Sequence, residues 1–194
     1  MSYTRVSIPK TPGAGSATQK RDRVYLYDAR DILSDIVRAR GETEAIGDLT
    51  LREGFKGITI QVSRSSISCG YEQSGETDAK VFADRVEFNY PGDTVALNNF
   101  VEACINKGFV IIVASCDGST KIYGRECNTL VLTAEHTDSN EGLRSHLVFQ
   151  QEVGDPYIPR VYTGTIPPTA DDDGSRVYWL NGTIWDGDEE WYSE

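Results

Sequence analysis

Apolar and polar residues alternate with a period of two along much of this chain. Residues 58–63 and 85–90 each place an apolar side chain at every second position. Such alternation predicts half-buried β-strands. Similar but shorter patterns predict further strands at 24–27, 121–123, 130–134, 146–151, 161–165 and 176–180.

One segment breaks the alternation because it is apolar at every position. Residues 109–113 read FVIIV, which predicts a central strand covered on both faces. Asp117 and Gly118 follow shortly afterwards, and we expect both to supply the positive φ angles of a tight hairpin turn.

A helical period interrupts the strands after Pro91 and Gly92. We expect Asp93 to cap a helix over residues 93–107, and Gly108 to end it. Its buried face would follow the i, i+3, i+4, i+7, i+8 spacing. That face consists of Leu97, Phe100, Val101, Cys104 and Ile105. A weaker pattern of the same kind predicts a second helix over 29–39.

These elements define a mainly β (α+β) fold, an antiparallel β-sandwich or barrel with one flanking helix at about 93–107. The 194 residues suffice for one domain with its own core. We expect an extended N-terminal arm over 1–23, a single sandwich or barrel domain over 24–168, and an acidic, Trp-containing extension over 169–194. Residues 63–80 are predicted to be a long loop or a flexible hairpin that becomes ordered against a neighbour.

Charge is strongly negative and unevenly distributed. The chain has 19 basic and 30 acidic residues, a net charge of -11. This balance argues against nucleic-acid binding, which depends on Lys and Arg at phosphates. Residues 1–23 sum to +4 and residues 171–194 to -7, so the arm is either a solvated terminus or an assembly element. The absence of a long apolar stretch predicts a soluble, unexported chain without membrane contact.

Candidate chemistry is sparse. His136 and His146 flank a segment with Asp138 and Glu141, but this spacing is more typical of surface histidines than of a metal site. No nucleophile elbow or glycine-rich phosphate loop occurs. We therefore predict no catalytic residue, no cofactor and no metal, although a hydrolase with dispersed carboxylates stays open. The triple acidic run 171–173 is interpreted as a solvated turn instead of a calcium loop.

The four cysteines contain no C-x-x-C pair, which predicts reduced and mostly buried thiols. The three tryptophans, Trp179, Trp185 and Trp191, are confined to the acidic C-terminal segment. Aromatic residues concentrated in this way indicate a partner surface, a strand completing the core, or a sugar platform. The acidic flank favours a partner surface.

The central part of the chain resembles a known family. The relevant segments are VFADRVEFNYPGD at 81–93, the predicted helix, FVIIV, the turn at 116–118, KIYG at 121–124, NTLVLTAEH and HLVFQQEV. Their order resembles that of tail tube and related tail proteins of tailed bacteriophages. The acidic extension after Pro168 departs from that pattern.

The resemblance implies a non-enzymatic virion component of the tail or neck, assembled in the host cytoplasm. It implies a ring of six or twelve identical subunits that contacts neighbouring tail or neck rings while genomic DNA passes through the lumen without specific binding. The expected subunit interface comprises Arg21, Arg23, Tyr71, Glu72, Trp185 and Trp191. The alternative from a different class is a monomeric carbohydrate- or protein-binding β-sandwich module.

Overall fold

A computed structural model describes residues 16–36, 47–139 and 142–170, together with the backbone of 44–45, 178–179 and 183–184. Fourteen strands and one α-helix form within these ranges. The strands are β1 Lys20–Asp28, β2 Ile32–Ser34, β3 Glu44–Ala45, β4 Thr50–Leu51, β5 Ile58–Gln61, β6 Ser68–Ser74, β7 Val81–Pro91, β8 Gly108–Ser115, β9 Thr120–Tyr123, β10 Leu130–Ser139, β11 Gly142–Gln151, β12 Arg160–Tyr162, β13 Tyr178–Trp179 and β14 Thr183–Ile184. The helix α1 spans Val95–Ala103.

Ten of these strands belong to one mostly antiparallel sheet that branches at β8. One edge of β8 pairs with β1, and β5 pairs with the far side of β1. The other edge of β8 pairs with β9 at residues 111–114 and with β10 only at Gly108 and Phe109. From there the order continues β10-β11-β7-β6 in one direction and β9-β12-β3 in the other. The sheet folds into a sandwich-like arrangement and does not close into a barrel.

Two apolar clusters lie on opposite faces of β8. The larger one joins the inward side chains of β1, β5, β7, β8, β10 and β11 with the buried face of α1. Its centre is aromatic, with Phe109 packed edge-on against Phe149 at a centroid distance of 5.8 Å. The smaller cluster places Val110 and Ile112 against the side chains of Tyr27, Ile32, Ile36, Leu49, Ile122 and Tyr162. The prediction of a central strand covered on both faces is confirmed.

The helix is shorter than predicted. Thr94, not Asp93, caps it, because the Thr94 hydroxyl accepts the Leu97 N–H at 3.2 Å. Asp93 instead accepts a side-chain hydrogen bond from Asn98 at 2.6 Å. Regular helix ends at Ala103, and Asn106 with φ 61° reverses the chain before Gly108, since Asn tolerates the left-handed region.

Because α1 ends at Ala103, its buried face has fewer residues than predicted. Leu97, Phe100 and Cys104 are at most 5% exposed, and Val101 packs beside them. Ile105 is 70% exposed, so its assignment to the core face is wrong. The residue follows the last helical turn and is therefore carried out of the i, i+3, i+4 stripe.

The second predicted helix, over 29–39, is also wrong across the residues described there. Ala29–Asp31 forms a single 3-10 turn, and Ile32–Ser34 forms β2. Ile32 is fully buried through its pairing with β4 and its packing in the smaller cluster. A strand pairing thus outweighs the local helical spacing, as tertiary contacts commonly do.

Residues 63–80 form a hairpin instead of a long loop. After a 3-10 turn at Arg64–Ser66, β6 pairs with β7 from Ser68↔Glu87 to Ser74↔Val81. Of the two alternatives predicted for this segment, the hairpin is therefore correct. At the β8–β9 turn only Gly118 has a positive φ, 88°, so the same expectation for Asp117 is wrong. Asp117 instead accepts the Ser119 N–H at 2.9 Å.

Candidate assembly surface

The strand β6 forms an open edge of the large sheet. Among the described residues it pairs on one side only, with β7. Every residue of β6 except Cys69 is exposed, and the strand contains neither Pro nor Lys. Free backbone N–H and C=O groups on such an edge are a template for pairing with another chain. This strand is therefore the first candidate surface for assembly.

Tyr71 and Glu72, two of the predicted interface residues, lie on this edge strand. Tyr71 is 49% exposed, and its ring packs edge-on against Phe82 of β7 at 5.4 Å. Glu72 is exposed opposite Ala83. A half-exposed aromatic side chain held by a neighbour is pre-positioned to contact a partner.

Arg21 and Arg23 lie on β1, where both side chains are exposed. The strand begins at Lys20, so residues 20–23 of the predicted arm belong to the sheet. In the described part of the chain, neither arginine forms a hydrogen bond or ion pair with Tyr71 or Glu72. The remaining predicted interface residues, Trp185 and Trp191, lie outside the described residues, as does the acidic run 171–173.

A groove of about 640 Å³ lies between β5 and α1. Its walls are mostly apolar, and they include Ile58, Ile60, Leu97 and Phe100. β5 pairs with β1 along one side, while its other side faces this groove. Alternating residues around 58–62 predict the strand, but no sequence signal places the helix beside it.

The chain itself reaches the end of this groove. Gly57 forms a parallel bridge with Thr169, in which the Gly57 N–H donates to Pro168 and the Ala170 N–H donates to Gly57, each at 3.0 Å. Ala170 also lines the groove. The chain therefore already forms backbone pairing at Gly57, the residue directly before β5.

The hairpin of β10 and β11 provides a third open edge. Its ladder runs from Leu130↔Gln151 to Ser139↔Gly142. β8 pairs with β10 only at its first two residues, and residues 133–139 are exposed. The outer half of β10 is thus paired with β11 on one side only, within the ranges that the structure describes.

The two histidines lie on neighbouring strands of this hairpin. The His136 Nδ1 is 2.9 Å from the Ser145 hydroxyl, and the His146 Nδ1 is 2.8 Å from the Asn89 Oδ1. Each ring therefore has a neutral hydrogen-bonding partner. In the ranges described, no group of three or more His, Cys, Asp or Glu side chains is arranged to hold a metal ion.

The four thiols divide into two classes. Cys104 is buried and Cys69 is half-buried, whereas Cys116 and Cys127 are exposed. The prediction of mostly buried thiols is therefore wrong for the last two, which lie in turns after β8 and β9. Burial raises the pKa of both Cys69 and Cys104 to about 11, because desolvation disfavours the thiolate.

We expect a thiol reagent at mildly alkaline pH to label Cys116 and Cys127 in the folded chain. Cys69 and Cys104 should stay unlabelled, since only the thiolate reacts and their raised pKa suppresses it. Peptide mapping by mass spectrometry identifies the labelled sites, and denatured protein, in which all four react, is the control. Labelling of Cys104 as fast as Cys116 in native protein would refute the buried arrangement.

Searches for related proteins found nothing: no family model, no curated protein and no solved structure matches this chain. Within the described residues, no helix is long and apolar enough to cross a bilayer.

Proposed function

We propose that this chain is a ring-forming structural subunit of a tailed-bacteriophage virion, acting in the tail tube, the neck or tail completion. In this role it conducts DNA without binding it, as a component assembled in the host cytoplasm. The observation that carries the assembly part of the proposal is the open edge strand β6, with the half-exposed Tyr71 on it. The resemblance of residues 81–153 to tail proteins supports the phage assignment.

Open edges at different places on one subunit suit head-to-tail assembly. β6 ends the sheet in one direction, while β5 and the outer half of β10 are open elsewhere. Pairing β6 of one copy with a different edge of the next is a heterologous contact, which closes into a ring when the rotation allows it. Backbone pairing across such an edge is an established mode of association.

The charge of the chain suits a conduit for DNA. At a net charge of -11, a ring of this subunit repels phosphate instead of releasing counterions from it. The same charge opposes association of identical subunits, so assembly requires local complementarity. The basic N-terminal segment and the acidic segment 171–194 are the two regions that provide it.

Light scattering of the purified full-length chain tests the proposal. A closed ring of six copies of the 21.5 kDa chain has a mass of about 130 kDa. A monomer at every concentration would contradict the proposal. A monomer that also binds sugars would instead favour the alternative, a carbohydrate-binding module.

Removing residues 1–15 is expected to weaken association and to flatten its dependence on salt. Arg5 and Lys10 are lost, and exposed charge pairs act over roughly 8 Å at physiological salt. The fold should be retained, because the cut precedes the Gln19 carbonyl, which accepts the Cys116 N–H at 2.8 Å, and Lys20, which begins β1. A deletion through residue 20 would remove Gln19 and Lys20, so it would not separate the effect of charge from an effect on the sheet.

Sedimentation at low and high salt measures this effect. The matched control is the full-length chain with Arg5→Gln and Lys10→Gln, which keeps the length and removes the two charges. Equal association of the truncated and full-length chains at both salt concentrations would show that the segment is only a solvated terminus.

A further inference from the structure

Arg160, the first residue of β12, is a buried cation for which the described residues provide no ion-pair partner. Arg160 is only 4% exposed, and it pairs with Ile122 of β9. Its Nε and Nη1 atoms are buried and have no hydrogen-bond partner within the part of the chain that the structure describes. Buried polar groups are nearly always paired, so this guanidinium requires an explanation.

The surroundings of Arg160 contain a second arginine and one aromatic ring. The guanidinium carbons of Arg160 and Arg125 lie 5.5 Å and 5.2 Å from the centroid of the Tyr157 ring. Arg125 forms an ion pair with Asp155, whose Oδ2 lies 2.7 Å from the Arg125 Nε. The other oxygen of Asp155 accepts the Tyr157 N–H at 3.1 Å. Asp155 is therefore engaged by Arg125 and Tyr157.

This arrangement leaves one positive charge uncompensated among Arg125, Arg160 and Asp155. An arginine cannot discard that charge by deprotonation, because its pKa lies far above neutrality. A cation–π contact compensates only part of the cost of burying a charge. One additional negative charge would balance the group, whereas a doubly charged phosphate would be opposed by Asp155.

The site is only partly enclosed. Arg125 retains 24% exposure of its side chain, and Tyr157 is half-buried. A carboxylate oxygen approaching past these two side chains would meet the N–H donors of Arg160, whose planar guanidinium carries them along several edges.

We propose that Arg160, Arg125 and Tyr157 form a receptor for a single carboxylate carried by a neighbouring copy of this chain. This inference rests on the proposed assembly. The donor is an Asp or Glu side chain of the acidic segment 171–194, which holds five Asp and three Glu. Carboxylates that would otherwise repel the neighbouring copy would then bind it specifically.

The first experiment uses acetate as a probe of the receptor on the full-length chain. Thermal unfolding is compared in sodium acetate and sodium chloride at equal ionic strength for the wild type, Arg160→Met, Arg160→Lys and Lys121→Gln. Lys121 is an exposed cation on the adjacent strand β9 and serves as the matched control. General salt effects are common to all four proteins and cancel in the comparison.

We expect acetate to raise the unfolding midpoint of the wild type and of Lys121→Gln above that in chloride. The rise should be absent in Arg160→Met and reduced in Arg160→Lys, which keeps the charge but lacks the planar guanidinium donors. In chloride, Arg160→Met should be at least as stable as the wild type, because it removes an unpaired buried charge. An identical acetate effect in all four proteins would overturn the receptor.

The second experiment asks whether the carboxylate comes from another copy. Arg160→Met should raise the dissociation constant of the assembly about tenfold or more, the usual cost of a charge-assisted hydrogen bond, and Lys121→Gln should not. In Arg160→Met, replacing the Asp and Glu residues within 171–173 and 186–190 by Asn and Gln should change the dissociation constant little further. Unchanged assembly of Arg160→Met overturns the intersubunit contact. If neither the wild type nor any variant assembles, the proposed function is rejected. The acetate comparison then still tests whether Arg160 binds a carboxylate.

Discussion

Replacing Phe100 with alanine is expected to lower the free energy of unfolding by about 3 to 5 kcal/mol, the usual cost of emptying a buried aromatic site. Phe100 is 4% exposed on α1, and its ring lies 6.3 Å from that of Phe109 on β8. It thereby joins α1 to the larger apolar cluster. Chemical denaturation monitored by circular dichroism measures the change.

Ile105→Ala is the matched control, because Ile105 follows the same helix and is 70% exposed. We expect it to change stability by less than about 0.5 kcal/mol, as surface substitutions usually do. A loss below about 1 kcal/mol for Phe100→Ala would mean that the helix does not pack on the sheet as described.

Tyr71→Ala is expected to weaken association of the subunits about 30-fold or more. Aromatic side chains at the centre of interfaces commonly contribute about 2 kcal/mol or more, and Tyr71 is held in place by Phe82 on the open edge strand. The unfolding free energy of the subunit should change much less, because Tyr71 is already 49% exposed.

Concentration-dependent light scattering gives the association constant for this variant. Val153→Ala, which truncates an apolar side chain that is 70% exposed and lies outside β6, should associate like the wild type. Hydrogen exchange provides a second readout, since amides of β6 that point away from β7 should gain protection only on assembly. Equal association of Tyr71→Ala and wild type would exclude β6 as the interface.

The sequence predicts the strands well where local pattern and tertiary environment agree. Residues 109–113 are apolar at every position because β8 carries a cluster on each face. The strands at 58–61 and 81–91 alternate because each buries one face. In these segments the period of the side chains reports burial directly.

The errors have a common physical origin. Residues 29–39 carry helical spacing, but pairing of β2 with β4 places Ile32 in the smaller cluster. Ile105 continues the helical stripe in sequence, but regular helix ends at Ala103 and the chain reverses at the left-handed Asn106. Pairing partners and chain reversals of this kind are not encoded in the period of one segment.

Sequence alone indicates one of the candidate surfaces but not the other. Tyr71 and Glu72 lie in a polar segment that sequence alone marks as unusual, and the structure places both on an edge strand. No sequence pattern indicates the group around Arg160, because Arg125 and Tyr157 come close to Arg160 only through the pairing of β9 with β12. Its unpaired guanidinium becomes visible only when burial and hydrogen bonding are known.

Electron microscopy of the purified full-length chain shows whether the subunits form rings. We expect closed rings with a central opening, seen end-on, and their loss in Tyr71→Ala at the same concentration. Single particles of the size of one subunit at every concentration, with no rings in the wild type, would refute ring formation.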